Sequence, residues 1–125
     1  MLALSIRQPY AELILRGVKT IEYRTVRTTK IGERFYIYVP RKWADAPGIS
    51  ALDETALTPA LSHPRKLERE NLPRGVIGGS AVISQCTKGD DYFEWHLTDV
   101  KRYKRQRTPT RQPQPVWFQP FKKAA

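Results

Sequence analysis

Three ionisable side chains, Lys19, Glu22 and Arg24, lie within six consecutive residues near the start of the chain. An arginine can hold a phosphate or a base edge through two parallel hydrogen bonds, and a carboxylate can accept from the exocyclic amine of a base. A lysine becomes a useful general base only when its pKa falls toward neutrality, because a solvated lysine has a pKa of about 10.4. The cluster therefore indicates nucleotide binding, acid–base chemistry, or simply a Glu22–Arg24 ion pair beside a solvated lysine.

The elements that must position this cluster are two short strands joined by a helix. Leu2–Ile6 predicts the first strand, and Thr20–Thr25 predicts the second. Between them, apolar residues from Tyr10 to Gly17 recur at i, i+3, i+4 and i+7, which predicts a short amphipathic helix. Pro9 is favourable at the start of this helix, where its missing N–H costs nothing. Gly17 can adopt the left-handed conformation that often ends a helix. The polar residues that this arrangement gathers at the ends of the helix are Arg7, Gln8, Lys19, Glu22 and Arg24.

The residues of this region also carry a resemblance to a known family. Leu4-Ser5-Ile6-Arg7-Gln8-Pro9-Tyr10, followed by Gly17-x-Lys19-x-x-Glu22-x-Arg24, resembles the ASCH domain, a small member of the PUA-like superfamily. Three later segments are similar to that family in their order along the chain: Glu33–Lys42, Leu72–Gly79 and Tyr92–Leu97. The resemblance covers about the whole chain. It implies an α+β, mainly β fold: a small PUA-like mixed β-barrel with an N-terminal helix.

Four further strands are predicted after the motif: Arg34–Val39, Gly75–Gln85, Tyr92–Tyr103 and Pro115–Phe118. The turn signal Lys88–Asp91 predicts that the two long strands pair antiparallel. Trp43–Asn71 contains three prolines and predicts a long connection with helical turns at Leu52–Leu57 and Lys66–Asn71. We therefore expect one domain over residues 1–125, with a partly helical, irregular insertion at about 43–71 and a basic segment at 101–125.

Positive charge is concentrated in two parts of the chain. Lys and Arg number 22 against 12 acids, a net charge of +10. Residues 101–125 contain eight basic residues and no acid, and residues 7–42 contain nine basic residues against three acids. If the fold brings these parts together, they form a basic face whose default partner is nucleic acid. The alternative is a solvated basic surface that only keeps the protein soluble. The phosphate-contact candidates beyond the motif are Arg41, Lys42, Arg102, Arg105 and Arg107.

Composition argues against several other classes of protein. The single Cys86 cannot form an intramolecular disulfide, which fits a reducing compartment. We see no apolar run long enough for a signal peptide or a membrane span, so we expect a cytoplasmic protein with no membrane partner. His63 and His96 are the only histidines and lack neighbours at metal-ligand spacing, so we expect no metal and no cofactor. The oligomeric state stays open.

These observations favour a basic cleft beside the helix that binds nucleic acid or a modified nucleotide. Among nucleic acids, RNA is favoured over DNA. Tyr10 could stack on a base there, or belong to the core. The alternative is a hydrolase acting at the same cleft on RNA or on a modified nucleoside such as an N4-acylated cytidine. The resemblance implies this alternative, because one type of relative pairs a lysine matching Lys19 with a threonine three residues later. Here that position is Glu22, so Lys19 and Glu22 are the catalytic candidates if the protein is an enzyme. A third hypothesis is a protein-interaction module that uses residues 43–71.

Overall fold

A single six-stranded sheet and one short helix make up the computed structural model, which describes residues 1–44 and 72–122. The elements are β1 (Ala3–Ser5), α1 (Tyr10–Leu15), β2 (Ile21–Arg24), β3 (Arg34–Val39), β4 (Val76–Lys88), β5 (Phe93–Arg107) and β6 (Trp117–Phe118). The strand order is β2-β5-β4-β3-β1-β6. β1 and β3 run parallel, and every other pair is antiparallel. The predicted antiparallel pairing of the two long strands is confirmed.

The sheet curls so that its distant strands approach one another. Arg24 on β2, at one edge, donates through Nη2 to the carbonyl oxygen of Ser5 on β1 at 2.8 Å. Trp95 on β5 stacks on Trp117 of β6, with ring centroids 6.0 Å apart and planes 12° apart. The expected mainly β fold is therefore present as a half-barrel with little helix. The helical turns predicted within residues 43–71 lie outside the described residues.

Alternation along the strands divides the apolar residues between the two faces of the sheet. On β3, Phe35 and Ile37 face the inside of the curl, where they join Leu4, Ile14 and Trp95 in the main core. The intervening tyrosines and Ala3 face the other way and pack against the C-terminal residues Phe118 and Phe121. The members of this second cluster are Ala3, Tyr36, Tyr38, Ile77, Tyr103, Phe118 and Phe121. The sheet thus has packed side chains on both faces.

The β4–β5 hairpin is longer than predicted and is interrupted by three irregularities in register. β4 continues to Lys88 and β5 to Arg107, beyond the predicted ends at Gln85 and Tyr103. Gly79 lies beside one interruption, and a Cβ placed there would be 2.2 Å from the Lys101 carbonyl oxygen. Only a residue without a side chain fits this close approach.

Helix α1 is held against β5 by a buried carboxylate. Its first turn carries Glu12, which accepts from both terminal nitrogens of Arg102 at 3.0 and 2.8 Å and from Arg16 at 2.6 Å. Burial alone would raise the pKa of Glu12, but the hydrogen bonds and charges of Arg102 and Arg16 outweigh it and hold that pKa below its ordinary value. Glu12 therefore stays ionised and fixes the position of the helix.

Candidate nucleic-acid interface

A cleft of about 1000 Å³ opens beside the N-terminal end of α1. Its walls come from the ends of β1 and β3, from β2, and from the extended C-terminal stretch 112–115. The lining residues are Ser5, Ile6, Arg7, Tyr10, Glu22, Tyr23, Arg24, Tyr38, Pro40, Arg41, Lys42, Ala44, Gln112, Pro113, Gln114 and Pro115. The volume lies at the upper end of the range for small-ligand sites, so a nucleotide would fit.

The charge of the lining is strongly positive. Four cations, Arg7, Arg24, Arg41 and Lys42, stand against one carboxylate, Glu22. Arg7, Arg41 and Lys42 are exposed. Within residues 1–44 and 72–122, none of these three forms an ion pair. A concave surface with one sign of charge raises the local concentration of an oppositely charged ligand.

Glu22 lies between two cations and keeps one oxygen unpartnered. Its Oε1 is 3.9 Å from Lys19 Nζ and 3.7 Å from Arg24 Nε. Its Oε2 is buried and accepts no hydrogen bond from any described residue. A buried carboxylate oxygen without a donor costs free energy, so this atom is a place where a ligand donor would be stabilised.

Lys19 lies behind Glu22 and is largely withdrawn from solvent. Its side chain is 8% exposed, and Nζ donates to the carbonyl oxygen of Ile21. The ammonium also lies over the rings of Tyr10 and Tyr23, at 5.8 and 5.5 Å from their centroids. Burial lowers the pKa of Lys19; Glu22 opposes this shift and Arg24 adds to it. Lys19 is thus a buried support for Glu22, not the solvated lysine of the ion-pair interpretation.

Three tyrosines place aromatic surface and hydroxyl groups in the cleft. Tyr23 is 48% exposed, and Tyr10 is half-buried at the start of α1. Tyr38 is buried and packs edge-to-face on Phe118, with centroids 5.3 Å apart. Burial raises the pKa of Tyr10, and Glu22 adds to it; burial also raises the pKa of Tyr38 against the opposing charge of Arg41. Both hydroxyls therefore remain protonated donors at neutral pH.

The family model of the ASCH domain matches residues 4–120, nearly the whole chain. The chain belongs to the ASCH domain family. The resemblance seen in the sequence is therefore confirmed; ASCH domains are a PUA-like family that is generally associated with RNA binding.

The described part of this ASCH domain contains no group of three or more His, Cys, Asp or Glu side chains that could hold a metal ion. Over the same residues, no helix has the length and apolarity needed to cross a membrane.

The ASCH domain brings six of the sequence-predicted contact residues into one cleft and leaves five elsewhere. The six are Arg7, Tyr10, Glu22, Arg24, Arg41 and Lys42. Gln8 is fully buried; its Nε2 donates to the Pro73 carbonyl oxygen at 3.0 Å, and its Oε1 accepts from the Glu12 amide at 2.9 Å. Lys19 lies behind Glu22, and Arg102 binds Glu12. Gln8 therefore has a scaffolding position.

The remaining two predicted residues lie outside the cleft of the ASCH domain. Arg105 is exposed near the end of β5, and Arg107 lies on the aromatic cluster of the second sheet face. The cleft also contains residues that sequence reasoning missed, among them Tyr38, Gln112 and Gln114. Strand alternation places Tyr38 opposite the core residue Ile37, which signals a position facing away from the core. No comparable signal marks the two glutamines, because only the path of the C-terminal stretch brings them to the cleft.

Proposed function

We propose that this ASCH domain binds single-stranded RNA and holds one unpaired nucleotide in the cleft beside α1. The four cations of the lining would attract and position phosphates, and the exposed ring of Tyr23 offers a stacking surface. A concave site of this kind accepts a base that is turned out of a strand, whereas a base in a duplex presents only its edge. The nucleotide in the cleft is therefore unpaired.

The observation that carries this proposal is the unpartnered Oε2 of Glu22. A carboxylate accepts hydrogen bonds and donates none, so it favours bases with an exocyclic amine, as in cytosine and adenine. Uracil has no such amine, and its one donor on that edge, N3–H, lies between two carbonyl oxygens that a carboxylate repels. The cleft should therefore bind amino-bearing bases in preference to uracil. A hydrogen bond to a charged group contributes about 1.5–3 kcal/mol, which corresponds to roughly tenfold or more in affinity.

The test is fluorescence anisotropy with short labelled cytidine and uridine oligomers. Wild-type protein should bind the cytidine oligomer roughly tenfold more tightly, and Glu22→Gln should lose most of that preference. Glu33→Gln is the matched control, because it removes an exposed acid outside the cleft. The slope of log affinity against log salt should be about −2 for contacts from Arg7, Arg41 and Lys42, at about −0.7 per phosphate. Failure to bind any oligomer at low salt contradicts the proposal, and so does an unchanged preference in Glu22→Gln.

RNA is the proposed partner in preference to DNA, and the cytoplasm is the proposed compartment. Gln112 and Gln114 are exposed at the cleft, and their amides can both donate to and accept from a 2′-hydroxyl. Cys86 is the only cysteine of the sequence, as suits a reducing environment. A matched DNA oligomer in the same anisotropy series tests the first point, since equal affinity for both would contradict it.

A hydrolase is the second candidate function, and the lowered pKa of Lys19 is the observation in its favour. A buried amine next to a carboxylate could take part in acid–base chemistry on RNA or on an N4-acylated cytidine. Against this, Lys19 Nζ donates to the Ile21 carbonyl oxygen and does not line the cleft. We expect no release of cytidine from N4-acetylcytidine and no cleavage of single-stranded RNA. Product formation that is lost in Lys19→Ala would establish the hydrolase instead.

A further inference from the structure

A second surface with aromatic and basic side chains lies on the opposite face of the sheet from the main core. Tyr36 packs edge-to-face on Tyr103 and on Phe121, with ring centroids 6.3 and 5.7 Å apart. The guanidinium of Arg107 lies 3.9 Å from the centroid of Phe121, and its Nη1 donates to the Tyr36 hydroxyl at 3.3 Å. We call these four residues, Tyr36, Tyr103, Arg107 and Phe121, the outer platform.

Most of the exposed cations between Lys101 and Lys122 have no acidic partner among the described residues. From residue 100 onward the sequence contains no Asp or Glu. Arg102 is paired with Glu12, but the other exposed cations there form no ion pair within residues 1–44 and 72–122. These cations are Lys101, Lys104, Arg105, Arg107, Arg111 and Lys122. Their charge is available to an anionic partner.

The C-terminal stretch joins the outer platform to the cleft. Next to Phe121, the Lys122 amide donates to Thr110 Oγ1 at 2.8 Å, and the Arg111 amide donates to the Pro120 carbonyl oxygen at 3.1 Å. The chain continues from Arg111 directly into residues 112–115, which form one wall of the cleft. Arg111 and the stretch 112–115 therefore connect the outer platform directly with the cleft.

We propose that single-stranded RNA with one nucleotide in the cleft continues along residues 111–115 onto the outer platform. This inference rests on the proposed function. Phosphates would contact Arg105, Arg107 and Arg111, and an unpaired base would stack on the exposed part of the aromatic cluster. Such a combination of aromatic side chains with a positively charged path is the general mode of single-strand binding. An acidic polypeptide could pair with the cations, but it has no bases to stack on the aromatic rings.

The test compares two lengths of RNA and two charge-matched double variants. Arg105→Gln/Arg111→Gln removes two exposed cations of the path, and Arg27→Gln/Lys88→Gln removes two exposed cations elsewhere. A 12-nucleotide cytidine oligomer should lose about tenfold in affinity with the first variant, and the log–log salt slope should become shallower by about 1.4. A 3-nucleotide oligomer fills only the cleft and should bind both variants alike. Tyr103→Leu should weaken binding of the longer oligomer several-fold and leave the shorter one unaffected.

Three results would overturn the inference, and the first two leave the cleft proposal standing. One is equal affinity of wild-type protein for the 3- and 12-nucleotide oligomers, with the base preference that depends on Glu22 retained. The other is an equal loss of affinity in both double variants. Competition by poly-glutamate as effective as that by RNA would also overturn it, because the rings would then contribute nothing. Absence of binding to either oligomer would instead refute the proposed function itself.

Discussion

The close approach of β5 to Gly79 predicts that adjacent glycines respond very differently to the same substitution. A Cβ at Gly79 would lie 2.2 Å from the Lys101 carbonyl oxygen and 2.7 Å from Leu15 Cδ2. A Cβ at Gly78 would meet only Leu15 Cδ1, at 3.5 Å, which is ordinary van der Waals contact. Gly79→Ala should therefore be strongly destabilising, and Gly78→Ala close to neutral.

The magnitude follows from which atoms must move. Real Cβ contacts essentially never fall below 3.0 Å, so the Lys101 carbonyl must retreat by at least 0.8 Å from its present 2.2 Å. The Leu15 side chain can rotate, but the carbonyl belongs to the backbone of the β4–β5 ladder and cannot shift alone. Overpacking of this kind costs about 3 kcal/mol. Replacing glycine by alanine at an unstrained site instead raises the free energy of unfolding by about 0.5 kcal/mol, because it reduces the conformational entropy of the unfolded chain.

Urea denaturation and thermal melting of the wild type and both alanine variants would measure the difference. We expect the melting temperature of Gly79→Ala to fall by about 10 °C and that of Gly78→Ala to change by only a few degrees. Gly79→Ser is a useful third variant, because it adds the same Cβ and should be at least as destabilising. Equal, small changes in melting temperature at Gly78 and Gly79 would refute the reasoning, because they would mean that the backbone at Lys101 can shift without destabilising the fold.

Three further predictions concern the polar groups that hold the cleft in place. Glu12→Gln should lower the free energy of unfolding by about 3 kcal/mol at neutral pH. Because the folded pKa of Glu12 lies below its ordinary value of 4.5, its contribution is present above that pH and is lost on acidification, so the urea curves of the two proteins should converge as the pH falls further below 4.5. Burial lowers the pKa of Lys19 from 10.5, so the unfolded chain binds more protons than the folded protein just below that pH. The stability of the wild type relative to Lys19→Met should therefore rise as the pH increases toward 10.5. A Lys19→Met difference that stays constant over this range would contradict the burial of the ammonium. Gln8→Leu should destabilise by about 2 kcal/mol while the folded protein keeps its RNA affinity, and a selective loss of affinity would show that Gln8 contacts RNA.

Local patterns were enough to predict most elements of the fold. The alternation of β3 and the helical spacing that begins at Tyr10 are properties of neighbouring residues, and both elements lie where they were expected. The predicted end of the second long strand, at Tyr103, was too early, because no apolar residue follows Tyr103 before the strand ends at Arg107. A strand whose side chains are exposed carries no burial pattern, so its sequence does not distinguish it from an irregular segment.

The candidate site was predictable only in part, because its decisive contacts join distant residues. Glu12 and Arg102 are 90 residues apart, and no local rule pairs them. Lys19 was expected to be solvated or to contact phosphate, but its burial depends on the rings of Tyr10 and Tyr23 closing over it. The sequence motif did bring Arg7, Glu22 and Arg24 together, since they flank one short helix. The extent of the domain and the individual RNA contacts stay predictions.

The burial of Gln8 has a further consequence for the shape of the cleft. Its carbonyl oxygen accepts from the Ala44 amide at 2.9 Å, and its Nε2 donates to the Pro73 carbonyl oxygen at 3.0 Å. One buried residue thus contacts the backbone of two described segments that are far apart in the sequence. Ala44 lines the cleft, so this wall of the cleft is positioned through Gln8 and not by the sheet alone.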